Sequence, residues 1–142
     1  MLKPLLATVL ALDFCVLVSA IKSPKTANQI LRLFKGSNSI IALQDIVLKE
    51  SQNILKLPRE EIIAKIGLIL RKQVHAFTTS NEMREDTKRI ETKYWICHYP
   101  DSIILSAAKM HFWTLLSMDR KLLQTAEFEG ILALNPLKIG GL

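Results

Sequence analysis

This sequence predicts an α/β fold, an open parallel sheet with helices on both faces, and three features carry the prediction. Leu6–Ala20, LATVLALDFCVLVSA, is an apolar run of the kind that forms a strand buried on both faces. Short apolar or β-branched segments recur at Ser39–Leu43, Val74–Thr79, Trp113–Met118 and Ile131–Leu134. Helical periodicity fills the stretches between them, as expected of parallel strands joined by helical crossovers. At 142 residues and 49% hydrophobic content, without internal repeats or a low-complexity linker, the chain fits one domain, 1–142, with ample material for a core.

After the first strand, Ser23-Pro24 is a cap followed by proline at the first helical position, and Leu31 and Phe34 give the ensuing helix an apolar face before it ends near Gly36. Ser39–Leu43 reads as a second strand. Gln44–Lys56 is a helix with Ile46, Val47, Ile54 and the flanking leucines as its buried stripe, and Glu50 falls within that stripe. Pro58 breaks the chain, and Glu60–Lys72 follows as an amphipathic helix with Ile62, Ile63, Ile66, Ile69 and Leu70 inward. Val74–Thr79 is a short strand. Asn81–Tyr94 is dense in charge, a solvated helix over an edge of the molecule that packs through Met83, Ile90 and Tyr94, with Glu85 four residues before Arg89. Pro100-Asp101-Ser102 opens a helix to His111, whose Ile104, Leu105, Ala107 and Ala108 suit close packing on a sheet. Trp113–Met118 is an apolar strand ending at Asp119, Arg120–Thr125 a short helix, and Ile131–Leu134 a last strand stopped by Asn135-Pro136.

Composition excludes a disordered chain, and a net charge of +6 favours an anionic partner such as nucleic acid. Lys22, Lys25, Arg32 and Lys35 make one region basic. Cys15 and Cys97 follow no metal or redox spacing, and a reducing cytoplasm is the simplest setting. His75, His98 and His111 lack metal-ligand spacing, and Ser117 lacks the glycines of a nucleophile elbow. Lys3 before an apolar stretch ending in Val18-Ser19-Ala20 also has the form of a secretory signal, and Pro4 to Ile21 is about long enough to span a bilayer. Asp13 opposes both readings, since an Asp near the centre of an inserting helix costs roughly 2.5 to 3.5 kcal/mol. An exported protein would lose Asp13 with its leader.

In open parallel sheets, ligands sit beyond the carboxyl ends of the strands where the strand order switches. Asp13, toward the end of the first strand, and Asp119, at the end of another, share one crevice if those strands are neighbours. Glu50, in an apolar helical stripe, and Asp101, heading a small-residue helix, also stand apart from the solvated acids. A cluster of acids without His or Cys suits magnesium or manganese, which take carboxylate and water oxygens and leave room for a substrate phosphate. Each acid also has a structural reading. Asp101 and Asp119 suit helix N-caps, Glu50 can lean to solvent or pair with Lys49, and Asp13 can cap the next turn as a hydrogen-bonded buried acid.

LALDFCVLVSA, IVLKESQNIL, PDSIILSAAK, TLLSMDRKLL and ILALNP, in that order and spacing, resemble the PIN domain family, named for the PilT N-terminus, in its small single-domain VapC-like form. The resemblance implies a three-layer α/β/α sandwich with a central, mainly parallel sheet. It also implies a Mg2+- or Mn2+-dependent nuclease, usually a ribonuclease, often the toxin of a toxin–antitoxin pair and often a homodimer. Carried over by position, Asp13, Glu50, Asp101 and Asp119 match the family's acidic quartet, and Ser117 matches the hydroxyl residue before the last acid. The resemblance thus marks these five as catalytic and the four acids as metal ligands. Cys15 stands where the family commonly has Asn, and Phe14 replaces a small hydroxyl residue. That loss of an amide supports an alternative reading, a PIN fold kept as an RNA-binding or dimerisation module. Lys22, Lys109, Arg120 and Lys121 are candidates to steer an RNA backbone, and Phe34 or Trp95 to form a dimer contact.

Overall fold

The computed structural model describes residues 9–78, 81–94 and 100–139, apart from the side chains of residues 81–83 and 139. Five strands, β1 (Val9–Leu12), β2 (Ile40–Gln44), β3 (Val74–Phe77), β4 (Thr114–Leu116) and β5 (Ala133–Leu134), form one sheet in the order β3-β2-β1-β4-β5. Every pairing is parallel. Leu10, Ile41 and Leu115 are fully buried at its centre, as strands covered on both faces require.

The helices are α1 (Phe14–Lys22), α2 (Pro24–Leu33), α3 (Asp45–Leu55), α4 (Arg59–Leu70), α5 (Asn81–Lys93), α6 (Asp101–His111), α7 (Arg120–Phe128) and α8 (Pro136–Ile139). From β1 to β3 the chain moves toward one edge of the sheet, and it then crosses back to add β4 and β5 at the other. Right-handed crossovers therefore place α1–α4 on one face and α5–α7 on the opposite face. Packing agrees, since α1 to α4 touch one another while α6 touches both α5 and α7. The result is the expected three-layer α/β/α sandwich. Its switch point lies between β1 and β4.

Several local expectations are corrected. The apolar run does not continue as a strand past Leu12: Asp13 accepts a hydrogen bond from the Val16 amide and starts α1, so the second half of the run is a buried helix. On α3 the buried residues are Val47, Leu48 and Ser51, and Ile54 is exposed. Arg89 pairs with Asp86 and Glu129, not with Glu85. Beyond Asn135 the chain forms the short helix α8, packed on α2. Among the described residues, no helix is long and apolar enough to cross a membrane. The Met83 side chain and Trp95, Cys97 and His98 lie outside the described residues.

Candidate active site

Asp13 sits at the end of β1 because its backbone leaves the sheet there, its amide bonding to the Leu116 carbonyl of β4 at 3.1 Å. Its side chain is 2% exposed. Oδ1 accepts from the Val16 amide at 3.0 Å, and Oδ2 accepts a short hydrogen bond from the Ser117 hydroxyl. Burial raises the pKa of this carboxyl, opposed by the Ser117 and Val16 hydrogen bonds and assisted by the Asp119 charge.

Ser117 is fully buried just past β4 and joins two of the acids. While its hydroxyl donates to Asp13, its Oγ accepts the Asp119 amide at 3.0 Å. Asp119 caps α7, one carboxylate oxygen accepting from the Lys121 and Leu122 amides at 2.9 and 3.3 Å. The capping and site readings are therefore compatible. A cap occupies one oxygen and leaves the other for the crevice.

Asp101 heads α6, half-buried, and its carboxyl hydrogen bonds to Asp119. Burial first, then the charges of Asp119 and Asp13 with a smaller share from Glu50, push it up to about 7. Glu50 on α3 is partly exposed and contributes its charge to the same crevice. The structure thus brings the four acids within electrostatic reach of one another at the β1–β4 switch point. Cys15 stands among them. Burial and the charges of Asp13, Asp119, Asp101 and Glu50 push its thiol up to about 11, which leaves it neutral and unfit as a nucleophile.

Among the described residues, no three His, Cys, Asp or Glu side chains converge tightly enough to cage a metal ion. The donor set nevertheless fits a hard divalent cation, being all carboxylate in a crevice where burial first and then neighbouring negative charge raise Asp101 and Asp13. Of the proposed steering cations, Arg120 and Lys121 are exposed beside Asp119. Lys109 is not available, because it bonds to Glu129 at 3.0 Å near the far end of α6.

Two features were not foreseen from the sequence. Gln44 ends β2 beside β1, 3% exposed, and its amide nitrogen has no partner among the described residues. A polar residue closing an otherwise apolar strand was the available signal, as it was for Asp13. Glu129, with a side chain 3% exposed at the end of α7, gathers Arg89, Lys93, Tyr94 and Lys109. It ties α5 and α6 to α7, at the ends of α6 and α7 away from Asp101 and Asp119.

A family model described as "PIN domain" matches residues 10–128. No curated protein is similar at a significant level. Among solved structures, VapBC2 from Rickettsia felis bound to a promoter DNA fragment superposes with a TM-score of 0.66 at 21% identity, over 90% of this chain and 98% of that one. A toxin-antitoxin complex from Klebsiella pneumoniae gives 0.64 at 20% identity, over 91% and 98%. VapBC-1 from nontypeable Haemophilus influenzae gives 0.69 at 14% identity, over 92% and 100%.

Proposed function

The chain belongs to the PIN domain family, and from that premise we propose that it is a Mg2+- or Mn2+-dependent ribonuclease whose catalytic groups are Asp13, Glu50, Asp101, Asp119 and Ser117. The observation that carries this reading is the placement of four carboxylates around the β1–β4 switch point, with the buried Ser117 hydroxyl joining the Asp13 carboxylate to the Asp119 backbone amide.

Asp13, Asp101 and Asp119, with Glu50 directly or through water, would hold the ion. Once bound, a divalent ion lowers the pKa of a coordinated water and neutralises charge growing on a phosphodiester. The chain's own part is positioning. Ser117 fixes the rotamer of Asp13, and the first turns of α1 and α7 hold Asp13 and Asp119 by their backbone amides. Arg120 and Lys121 offer positive charge to the phosphate backbone at the rim. Cys15 remains a neutral filler.

We also read residues 1–142 as one domain acting in the cytoplasm, as a homodimer restrained by an antitoxin protein. Similarity to the VapBC and toxin-antitoxin complexes supports the partner.

The test is cleavage of labelled single-stranded RNA with magnesium, manganese or EDTA, by the wild type and by Asp13→Asn and Asp119→Asn. Metal-dependent cutting that disappears in both folded variants is expected. A folded wild type that binds RNA and cuts under no metal would overturn the enzyme reading in favour of a binding module. Cys15→Asn would then show whether that position had silenced it.

A further inference from the structure

The basic segment around α2 has no part in the acidic crevice. Arg32 lies in the last turn of α2, and Lys35 follows the helix. Arg71 ends α4 in the left-handed region (φ 56, ψ 44), and Lys72 comes next. Both helices stop at the edge where strands begin, since Gly36 and Ser37 lead into β2 and Lys72 leads into β3. The four cations therefore lie at the opposite end of the sheet from Asp13 and Asp119. They line a cleft of about 680 Å³ whose apolar wall is Leu31 and Phe34.

Cations at helix C-termini are ordinarily explained by the helix dipole. Two such ends supply only about half a negative charge each, against four formal positive charges. Among the described residues, no acidic side chain lines the cleft. Among the described residues none forms an ion pair with these four either. Partial burial pulls Lys72 below its ordinary value with no anion to oppose it. Surplus positive charge beside an aromatic ring, in a cleft of nucleotide size, is the combination that binds single-stranded nucleic acid, through phosphates on cations and a base on the ring.

We propose that this cleft is a second RNA-binding site, taking a single-stranded stretch with its phosphates on Arg32, Lys35, Arg71 and Lys72 and a base against Phe34. The inference rests on RNA being the substrate and says how a long substrate is held. A five-residue strand and its end turns separate cleft from crevice by roughly 15–20 Å, so only a strand of several nucleotides reaches both.

The test is fluorescence anisotropy of a labelled oligouridine of roughly 20 nucleotides, titrated in EDTA from about 50 to about 300 mM salt. It compares wild type, Arg32→Glu/Arg71→Glu, Phe34→Leu and a control reversal, Lys65→Glu/Lys88→Glu, on exposed positions elsewhere. The cleft reversal should lower affinity at least about tenfold and flatten the salt slope by about 1.4, or about 0.7 for each phosphate no longer neutralised. Phe34→Leu should weaken binding severalfold at an unchanged slope. The control should stay within about twofold. Equal weakening by both reversals, or none by the cleft variant, would overturn the proposal. So would a cleft that captures polyglutamate while RNA binding is unchanged. Cleavage of a two- or three-nucleotide substrate should be indifferent to the cleft reversal and abolished by Asp13→Asn. A protein that binds RNA through the cleft and never cuts it would sink the nuclease reading and leave this one standing.

Discussion

Replacing Glu129 with Gln tests what holds α5 and α6 to the end of α7. Its carboxylate, 3% exposed, takes Arg89 at 2.6 Å, Lys109 at 3.0 Å and Lys93 at 3.6 Å, together with the Tyr94 hydroxyl. Hydrogen bonds to a charged group are worth about 1.5–3 kcal/mol each when measured singly, and members of one cluster do not add. Arg89, Lys109 and Lys93 are 40%, 44% and 59% exposed, so they regain water when the carboxylate is removed. A net loss of about 2–3 kcal/mol follows, or roughly 10 °C in Tm for a chain of this size. The cluster also sets the pH response. Arg89 foremost, then Tyr94 and Lys109, hold the Glu129 carboxyl well below its ordinary 4.5, against the opposing effect of burial. A depressed carboxylate contributes its full stability above the ordinary value and loses it as the pH falls. Urea denaturation at pH 7 and pH 3 should therefore show a large difference between wild type and variant at pH 7 and a smaller one at pH 3. Hydrogen exchange should show α5 opening before the sheet does. A variant melting within about 2 °C of wild type at neutral pH, or an equal deficit at both pH values, would refute the assignment.

Other substitutions probe the crevice. Asp101→Asn should stabilise the metal-free protein at pH 8 by about 2 kcal/mol, a figure reduced for solvent screening because the group is only half-buried, and should have little effect at pH 4. Its carboxyl is raised to about 7, so the repulsive cost is absent in acid and complete above neutrality; urea midpoints in EDTA check this. Ser117→Ala leaves Asp13 Oδ2 and the Asp119 amide without their shared partner and should cost about 1–3 kcal/mol in a thermal melt. Gln44→Met removes a buried amide whose nitrogen is unpartnered among the described residues and should raise stability by about 1 kcal/mol, read by the same melt.

The fold was legible because its parallel strands are continuous apolar runs separated by helical periodicity, a pattern few architectures share. Where periodicity falls silent, so did the sequence. Val16 and Leu17 are fully buried on a helix, and a buried helix turn reads like a buried strand until the Asp13 cap is seen. Asp13 and Asp119 of the candidate site were legible as charges closing apolar runs and Asp101 as the head of a small-residue helix, whereas Glu50 proves partly exposed beside the buried stripe it was expected to interrupt. Glu129 was not legible, because it lies 40 residues from Arg89 and pairing rules within one helix cannot reach that far. The basic cleft was half legible: Arg32 and Lys35 stood out as a cluster, while Arg71 and Lys72 join it only through the folding of α4 against α2.

Asp13 and Asp119 each do two jobs with one side chain, starting a helix and lending charge to the crevice. Asparagine starts a helix about as well as aspartate and carries no charge. On the proposed nuclease reading, a lineage can therefore abandon the chemistry in one substitution at either position without unravelling α1 or α7, and it sheds carboxylate repulsion as it does so. Silent descendants of such a protein should be sturdier than their active ancestors, and the scaffold should outlast the activity it was built around.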